Sequence, residues 1–286
     1  MLILFHLSAV NFISNATNVT IMELTGQKKV HIVPMGYEID RIEIPLRDIG
    51  ADRVYLITDL KESETGTLYL RELTRRIRNL VLEKELTVLN CPLWDFRKQM
   101  SLFCELVRKE KAQGNFVYIN LSSGSKLSAI AGTLSALMYE AVPYYAQAEK
   151  YNIDHPDIKG GKITGITSGV KKILKIPSYT IEPPVDDLVT ALAILSEKNG
   201  ILSQKEFIFR LEDKGLLKDA TGTRGKNREV TKKGYAKARR QYFEKLEEMG
   251  WAVKKGKGRS SHIEITEEGK NTFETFIRTV AVKCQI

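Results

Sequence analysis

The chain of 286 residues is 43% hydrophobic and 28% charged, a composition typical of a globular protein long enough for two domains with separate cores. This composition argues against fibrous, disordered and membrane-embedded classes. The net charge of +9 favours a polyanionic partner such as nucleic acid. Cys91, Cys104 and Cys284 lie far apart, without CxxC spacing, so we expect neither a disulfide framework nor a zinc site, and we expect a reducing cytoplasm.

The N-terminal apolar run, MLILFHLSAV, lacks the basic start and the cleavage site of a signal peptide. It is also shorter than the ~20 apolar residues of a membrane helix. We therefore interpret residues 1–22 as a disordered or mis-assigned extension, with Met22 as the start, and we expect no membrane association.

From Lys29 onward, short apolar runs alternate with longer amphipathic stretches, a pattern typical of parallel strands joined by helices. Strands are predicted at 30–35, 54–59, 86–92, 116–121, 142–148 and 170–181. Helices are predicted at 37–49, 66–85, 96–113 and 126–140, and a hairpin or loop at 158–165. The fold class is therefore α/β, with a Rossmann-like open parallel sheet in a domain of residues 23–183.

Tandem prolines in the segment IEPPVDD, 181–187, mark the end of that domain, and we expect Asp186 or Asp187 to cap the helix that follows. Helices are predicted at 187–198, 203–213, 231–249 and 266–280, with one hairpin at 251–266. Ser203 and Glu206 have the spacing of a capping box. This order predicts a mainly α winged helix-turn-helix domain over residues 184–286.

A turn rich in small residues follows the predicted strand that ends at Leu121 and enters a helix at Lys126. Small residues let backbone amides approach an anion, and the helix N-terminus adds a partial positive charge. In an open parallel sheet, ligands bind at the carboxyl ends of strands, where this turn lies. A serine-rich turn with a solvated lysine is the alternative, because neither a GxxxxGK[ST] nor a GxGxxG motif is present.

A second loop, PMGYEIDRI, leaves the first strand at the same edge of the sheet. Gly36 permits a tight exit, Tyr37 could stack on a base, and Arg41 could pair with a phosphate. Alternatively Tyr37 packs inside and Arg41 decorates the first helical turn. The occurrence of both loops favours a ligand pocket, whose residues would be Met35, Gly36, Tyr37, Arg41, Ser122, Ser123, Gly124, Ser125 and Lys126.

Between residues 214 and 259, 15 Lys or Arg residues oppose five Asp or Glu residues, a net charge of +10. One face of the predicted helix 231–249 is apolar or aromatic and the opposite face is basic. The expected packing face is Tyr235, Ala238, Tyr242, Leu246 and Met249. The expected DNA-binding residues of the helix and hairpin are Lys232, Lys233, Lys237, Arg240, Lys254, Lys255, Lys257 and Arg259.

Double-stranded DNA is favoured over RNA because a basic helix fits a major groove and no aromatic-studded sheet is visible. A solvated basic helix beside a flexible turn is the alternative. A membrane-surface helix is disfavoured, since its apolar face would carry two tyrosines and an alanine. His6, His31, His155 and His262 have no metal-ligand spacing, so no metal and no cofactor are predicted.

The strand-like segments HIVPMGYEIDRI and YYAQAEKY, the latter at 144–151, resemble the CARF domains of archaeal CRISPR-associated winged-helix transcriptional regulators. The resemblance covers about residues 29–183, with a looser match beyond. It implies a homodimer with one symmetric pocket, lined by the loops 35–37 and 122–126 of both subunits. The implied effector is a cyclic oligoadenylate, chiefly cyclic tetra-adenylate. The chain departs from the pattern at SSGSK, where many such sensors carry a glycine pair and a threonine.

Residues and resemblance together predict a ligand-responsive, DNA-binding transcriptional regulator. One alternative, which would make the protein an enzyme, is a ring nuclease. In it Lys126 would be catalytic and would stabilise charge while a 2′-hydroxyl attacks the adjacent phosphate. The other alternative is a constitutive DNA-binding protein whose α/β part only dimerises.

Overall fold

The computed structural model describes residues 26–59, 64–152, 158–159, 162–163, 165–177, 179–197, 199–225, 227–256 and 261–283. The strands are β1 (Lys29–Pro34), β2 (Arg53–Thr58), β3 (Leu86–Asn90), β4 (Phe116–Asn120), β5 (Val142–Tyr151), β6 (Ile158–Lys159), β7 (Lys162–Ile163), β8 (Thr167–Lys175), β9 (Ile201–Ser203), β10 (Thr221–Arg224), β11 (Asn227–Val230), β12 (Ala252–Lys255) and β13 (His262–Ile265). The helices are α1 (Asp40–Ile49), α2 (Glu64–Ile77), α3 (Phe96–Ala112), α4 (Lys126–Tyr139), α5 (Asp186–Ser196), α6 (Gln204–Asp213), α7 (Lys232–Ala238), α8 (Glu244–Glu248) and α9 (Glu267–Lys283). Within these ranges, every helix is too short or too polar to span a bilayer.

The first part of the chain folds around a six-stranded sheet in the order β3-β2-β1-β4-β5-β8, which confirms the expected open, Rossmann-like arrangement. All neighbouring strands are parallel except β5 and β8, which are antiparallel. The central strands β1 and β2 are buried on both faces, because helices cover both faces of a parallel sheet. The strand order reverses between β1 and β4, so the loops that follow these two strands meet at the switch point where such sheets bind ligands.

Two predicted elements of this domain differ from the structure. The helix expected at 66–85 ends at Ile77, and Glu85 is the last residue of a 3-10 turn, Glu83–Glu85, that leads into β3. Its carboxylate accepts hydrogen bonds from Lys28 Nζ at 2.6 Å and from Arg53 Nε at 2.7 Å. Those ion pairs hold the chain out of the helix. The strand expected at 170–181 is Thr167–Lys175, which begins earlier and stops before a proline. The hairpin expected near 158–165 is confirmed by the pairing of β6 with β7.

His31 lies on β1 and is fully buried in the middle of the sheet. Its Nδ1 is 3.3 Å from the Tyr144 hydroxyl, its Nε2 is 3.2 Å from the Gly50 carbonyl oxygen, and its ring stacks on Tyr118. Burial lowers the pKa of His31 to about 4. The imidazole is therefore neutral in the folded protein and serves the packing of the sheet.

We expect the free energy of unfolding to fall by about 3 kcal/mol as the pH drops from 7 to 4 on account of His31 alone. The unfolded chain takes up a proton on this residue near pH 6.5, whereas the folded chain does so only near pH 4. Urea unfolding at a series of pH values, on wild type and His31→Gln, gives this contribution as the difference between the two curves. A difference that stays constant between pH 4 and 7 would contradict it.

The C-terminal part packs three helical segments against the three-stranded sheet β12-β13-β9, as a winged helix requires. Its core is built from residues such as Leu192, Phe207, Leu246 and Ile263. The expected cap at Ser203 is confirmed, since its Oγ accepts from the Glu206 amide at 3.2 Å. A second hairpin, β10–β11, stands between α6 and α7, so the expectation of one hairpin was wrong.

The expected capping of α5 by an aspartate was also wrong. The N-cap is Val185, which offers no side-chain acceptor. Asp186 instead accepts hydrogen bonds from the Arg108 guanidinium on α3, at 2.9 and 3.1 Å. This ion pair fixes the start of the C-terminal domain to the first one.

The two domains share a buried contact in which α9 packs against α3 of the first domain and against α5 of its own domain. Val189 of α5 and Phe276 of α9 are buried in the same apolar cluster as Phe103 of α3. At the outer rim, Arg97 donates to Asn271 and pairs with Glu274 of α9 at 3.2 Å. The winged helix is therefore attached to the first domain by packed helices as well as by the chain itself.

Candidate ligand pocket and nucleic-acid surface

The loops after β1 and β4 touch at two glycines. A Cβ on Gly36 would lie 2.7 Å from the Gly124 amide nitrogen, and a Cβ on Gly124 would lie 2.6 Å from Pro34 Cβ. Gly124 also has a φ of +81°, which disfavours other residues. The structure thus brings the two loops expected from the sequence into direct contact, and glycine at both positions makes this approach possible.

The serine hydroxyls of the second loop hold the loop in place. Ser123 Oγ donates to the Pro34 carbonyl oxygen at 2.7 Å, and Ser122 Oγ accepts from the Ala146 amide at 2.5 Å. Ser125 caps α4, since its Oγ accepts from the Ser128 amide at 3.0 Å and also donates to the Leu93 carbonyl oxygen at 2.5 Å. All three serines are buried. A ligand at this loop would therefore meet backbone amides rather than these hydroxyls.

Lys126 is the first residue of α4 and its side chain is exposed at the loop. The amides of the first helical turn have no intrahelical acceptors, and Ser125 Oγ accepts a hydrogen bond from only one of them, the Ser128 amide. The helix dipole and the Lys126 ammonium thus place positive charge where the two loops meet. This combination suits a phosphate or another anion.

Tyr37 and Arg41 are placed differently from the rest of the expected set. The Tyr37 ring packs edge to face on Tyr69, at 4.7 Å between ring centroids, and remains only partly exposed. Arg41 is 5% exposed, donates through Nε to the Ala146 carbonyl oxygen at 2.7 Å and stacks on Tyr145. Among the described residues, nothing accepts a hydrogen bond from Arg41 Nη2.

A pocket of about 230 Å³ opens where the loops meet. Its lining residues are Met35, Gly36, Tyr37, Glu38, Leu93, Trp94, Gly124, Ser125 and Ile166. The volume is below the ~300–1,000 Å³ of sites that enclose a drug-sized ligand, so one protomer alone does not enclose a ligand of that size.

Four lining residues were missed by the sequence interpretation. Leu93 and Trp94 follow β3, so the rule that ligands bind at the carboxyl ends of strands could have found them. Glu38 sits within the loop already singled out. Ile166 arrives from the start of the antiparallel edge strand β8, and no sequence signal marked it.

The basic side chains of the winged helix fall into two groups: some bond to other residues of the domain, and others have no carboxylate partner among the described residues. Lys237 Nζ donates to the Lys218 carbonyl oxygen at 2.8 Å, and Lys255 pairs with Glu264 at 2.5 Å. No carboxylate of the described residues pairs with four exposed members of the expected set, namely Lys232, Lys233, Arg240 and Lys254. Lys257 and Arg259 lie outside the described residues.

The packing face of this helix is confirmed in its middle and wrong at its ends. Ala238, Tyr242 and Leu246 are buried, but Tyr235 and Met249 are 38% and 46% exposed. The reason is a π-helical turn, Arg239–Phe243, between α7 and α8. A π turn shifts the helical phase, and here it brings Phe243 onto the buried face.

Two family models match the chain. The HFX_2341-like N-terminal family matches residues 29–151, and the DUF6293 C-terminal winged helix domain matches residues 187–277. Over 130 residues, the chain is 34% identical to uncharacterized protein MJ1513 of Methanocaldococcus jannaschii, which covers 42% of this chain and 38% of that protein. The chain thus spans well under half of that relative.

Solved structures that match the chain include Enterococcus italicus Csm6 bound to cyclic hexa-2′-fluoro-hexa-dAMP, at 15% identity and a TM-score of 0.35, over 43% of this chain and 34% of that one. They also include Can2 from Sulfobacillus thermosulfidooxidans in complex with cyclic tetra-adenylate, at 10% identity and a TM-score of 0.35, over 87% of this chain and 62% of that one. Each match covers less than two thirds of the other protein.

Among the described residues, no group of three or more His, Cys, Asp or Glu side chains is arranged to hold a metal ion. The expected order of a Rossmann-like domain and a winged helix is confirmed, and so is the resemblance at the level of domain organisation. The chain is thus similar to the HFX_2341-like N-terminal family over residues 29–151 and to the DUF6293 C-terminal winged helix domain over residues 187–277.

Proposed function

We propose that the protein is a homodimeric transcriptional regulator that binds a cyclic oligoadenylate, chiefly cyclic tetra-adenylate, across its two sensor domains and changes its affinity for DNA in response. The supporting observation is the junction of Gly36 and Gly124, where Ser125, the N-cap of α4, lines an open pocket. Lys126 does not line that pocket but is the next residue along the chain, and its side chain is exposed. The size of that pocket favours a shared site, since a two-fold ring suits two half-sites related by a two-fold axis.

The sensor domain spans residues 23–183 and the DNA-binding domain residues 184–286 in this proposal. DNA contacts come from α7, the π-helical turn and the β12–β13 hairpin, which serves as the wing. The helix α7 would enter a major groove while the wing contacts the phosphate backbone. The ligand then acts by changing the relative placement of the two winged helices of the dimer.

Isothermal titration with cyclic tri-, tetra- and hexa-adenylate, on wild type and Lys126→Ala, tests the sensor half. We expect one ring to bind per dimer, and Lys126→Ala to weaken binding about 10–100-fold, because a charge-assisted hydrogen bond contributes ~1.5–3 kcal/mol. Lys109→Ala, an exposed lysine on α3, is the matched control and should leave affinity unchanged.

The ligand recovered after titration is then separated by chromatography. Intact rings support a sensor, and linear fragments would make the protein a ring nuclease. Failure of wild type to bind any ring would contradict ligand sensing and leave only the DNA-binding half of the proposal.

A further inference from the structure

We propose that Trp94 and Glu38 read the base of the bound nucleotide, with the base stacked on the Trp94 indole and its exocyclic amino group donating to the Glu38 carboxyl. The inference rests on the proposed function and specifies which bases the pocket accepts. Both residues line the same pocket, and neither was part of the phosphate-binding set expected from the sequence.

Trp94 is exposed, yet its backbone is fixed on both sides. Its side chain is 78% exposed at the pocket rim. On one side, the Leu93 carbonyl oxygen accepts from Ser125 Oγ at 2.5 Å and from Gln99 Nε2 at 2.8 Å. On the other side, Asp95 caps α3 by accepting from the Lys98 amide at 3.1 Å. A rigidly presented indole at a pocket rim is the geometry of a stacking platform for a base.

The Glu38 carboxyl lies on the pocket side of the glycine junction. Its Oε2 would be 2.1 Å from a Cβ placed on Gly36, so the absent side chain of Gly36 leaves the space that the carboxyl fills. Burial raises the pKa of Glu38, and the nearby Arg41 opposes that shift. A carboxyl here cannot favour the phosphates of the ligand, but it can accept a hydrogen bond from an amino group of a base.

The direction in which Glu38→Ala changes affinity separates the two roles this carboxyl could have, because alanine removes both the charge and the hydrogen-bond acceptor. If Glu38 only adds negative charge beside a polyanionic ligand, removal of the charge tightens binding. If it accepts a hydrogen bond from the base, the substitution weakens the binding of adenine and erases discrimination at that position. Inosine differs from adenosine by an oxygen in place of the amino group and is the direct probe.

The chain has two tryptophans, so Trp251→Phe leaves Trp94 as the reporter. We expect cyclic tetra-adenylate to quench the Trp94 fluorescence of that variant saturably and to bind about tenfold more tightly than cyclic tetra-inosinate. Glu38→Ala should remove the preference, with about tenfold weaker binding of the adenylate ring. Trp94→Ala should weaken binding about 10–100-fold by calorimetry. Tyr179→Ala, an exposed aromatic outside the pocket, is the matched control and should bind as wild type does.

Binding without quenching, equal affinity for the two rings, or tighter binding by Glu38→Ala would each overturn the inference while the proposed function stands. Sedimentation of Trp94→Ala adds a further check, because conversion of a dimer to a monomer would make Trp94 a subunit contact and overturn the stacking role. If wild type binds neither ring by calorimetry, the proposed function fails and the inference with it.

Discussion

Glu110→Ala is expected to lower the free energy of unfolding by about 3–5 kcal/mol, because it breaks a buried, hydrogen-bonded ion pair. Glu110 on α3 is fully buried and accepts from Arg53 Nη1 at 2.9 Å, the Tyr55 hydroxyl at 2.5 Å and the Asn115 amide at 2.6 Å. Alanine leaves all three donors without this acceptor and removes one of the two carboxylates that pair with Arg53.

Urea unfolding of Glu110→Ala beside Glu105→Ala tests this cluster. Glu105 lies on the same helix, is partly exposed and pairs with Arg278 at 3.5 Å, so its loss should cost less than about 1 kcal/mol. Equal costs for the two variants would show that the Glu110 cluster contributes no more than a surface pair. The cluster lies at the amino ends of the strands, so ligand binding at the opposite edge is expected to survive the substitution in the folded fraction.

The helices, strands and main pocket loops could be predicted because each depends on local sequence. Apolar runs bounded by turn residues set β1, β2 and β4, and the parallel crossovers then place the turns at Gly36 and Gly124 on one edge. The sequence also placed Ser122, Ser123 and Ser125 in the expected pocket, but it did not indicate what their hydroxyls contact. Ser122, Ser123 and Ser125 bond to β5, β1 and the Leu93 turn, and only the fold shows these acceptors and donors.

Features that depend on contacts between distant segments could not be predicted. The hairpin β10–β11 is held by Arg228, which pairs with Glu212 and Asp213 at 2.7 Å. Neither partner is near it in sequence. The role of Asp186 was missed for the same reason. Its partner Arg108 lies 78 residues away in the sequence, and Asp186 pairs with Arg108 instead of capping α5.

The contact between domains gives the pocket a short physical route to the winged helix. Trp94 lies at the rim, Arg97 follows it in the first turn of α3, and the Arg97 guanidinium contacts Asn271 and Glu274 of α9. Helix α9 directly follows the wing strand β13. Under the proposed function, a ligand that shifts α3 as a rigid unit would also shift α9 of the winged helix, without any change in the sheet.

The combined variant Lys233→Ala, Arg240→Ala, Lys254→Ala is expected to bind duplex DNA of arbitrary sequence about 100-fold more weakly at ~150 mM salt. Each exposed cation that neutralises a phosphate contributes about fivefold at that salt concentration through counterion release. The same variant should reduce the slope of log K against log salt by about 3, because three phosphate contacts are lost.

Fluorescence anisotropy with a labelled duplex, over a range of salt concentrations, measures both quantities. The control is Lys171→Ala, Lys172→Ala, Lys175→Ala, which removes the same charge from exposed lysines on the edge strand β8 of the other domain. If DNA binding depends on the proposed helix and wing, only the first variant loses affinity and salt slope. Equal losses in both would mean that net charge, rather than the winged helix surface, attracts the DNA, since a diffuse field does not distinguish the two sets of lysines.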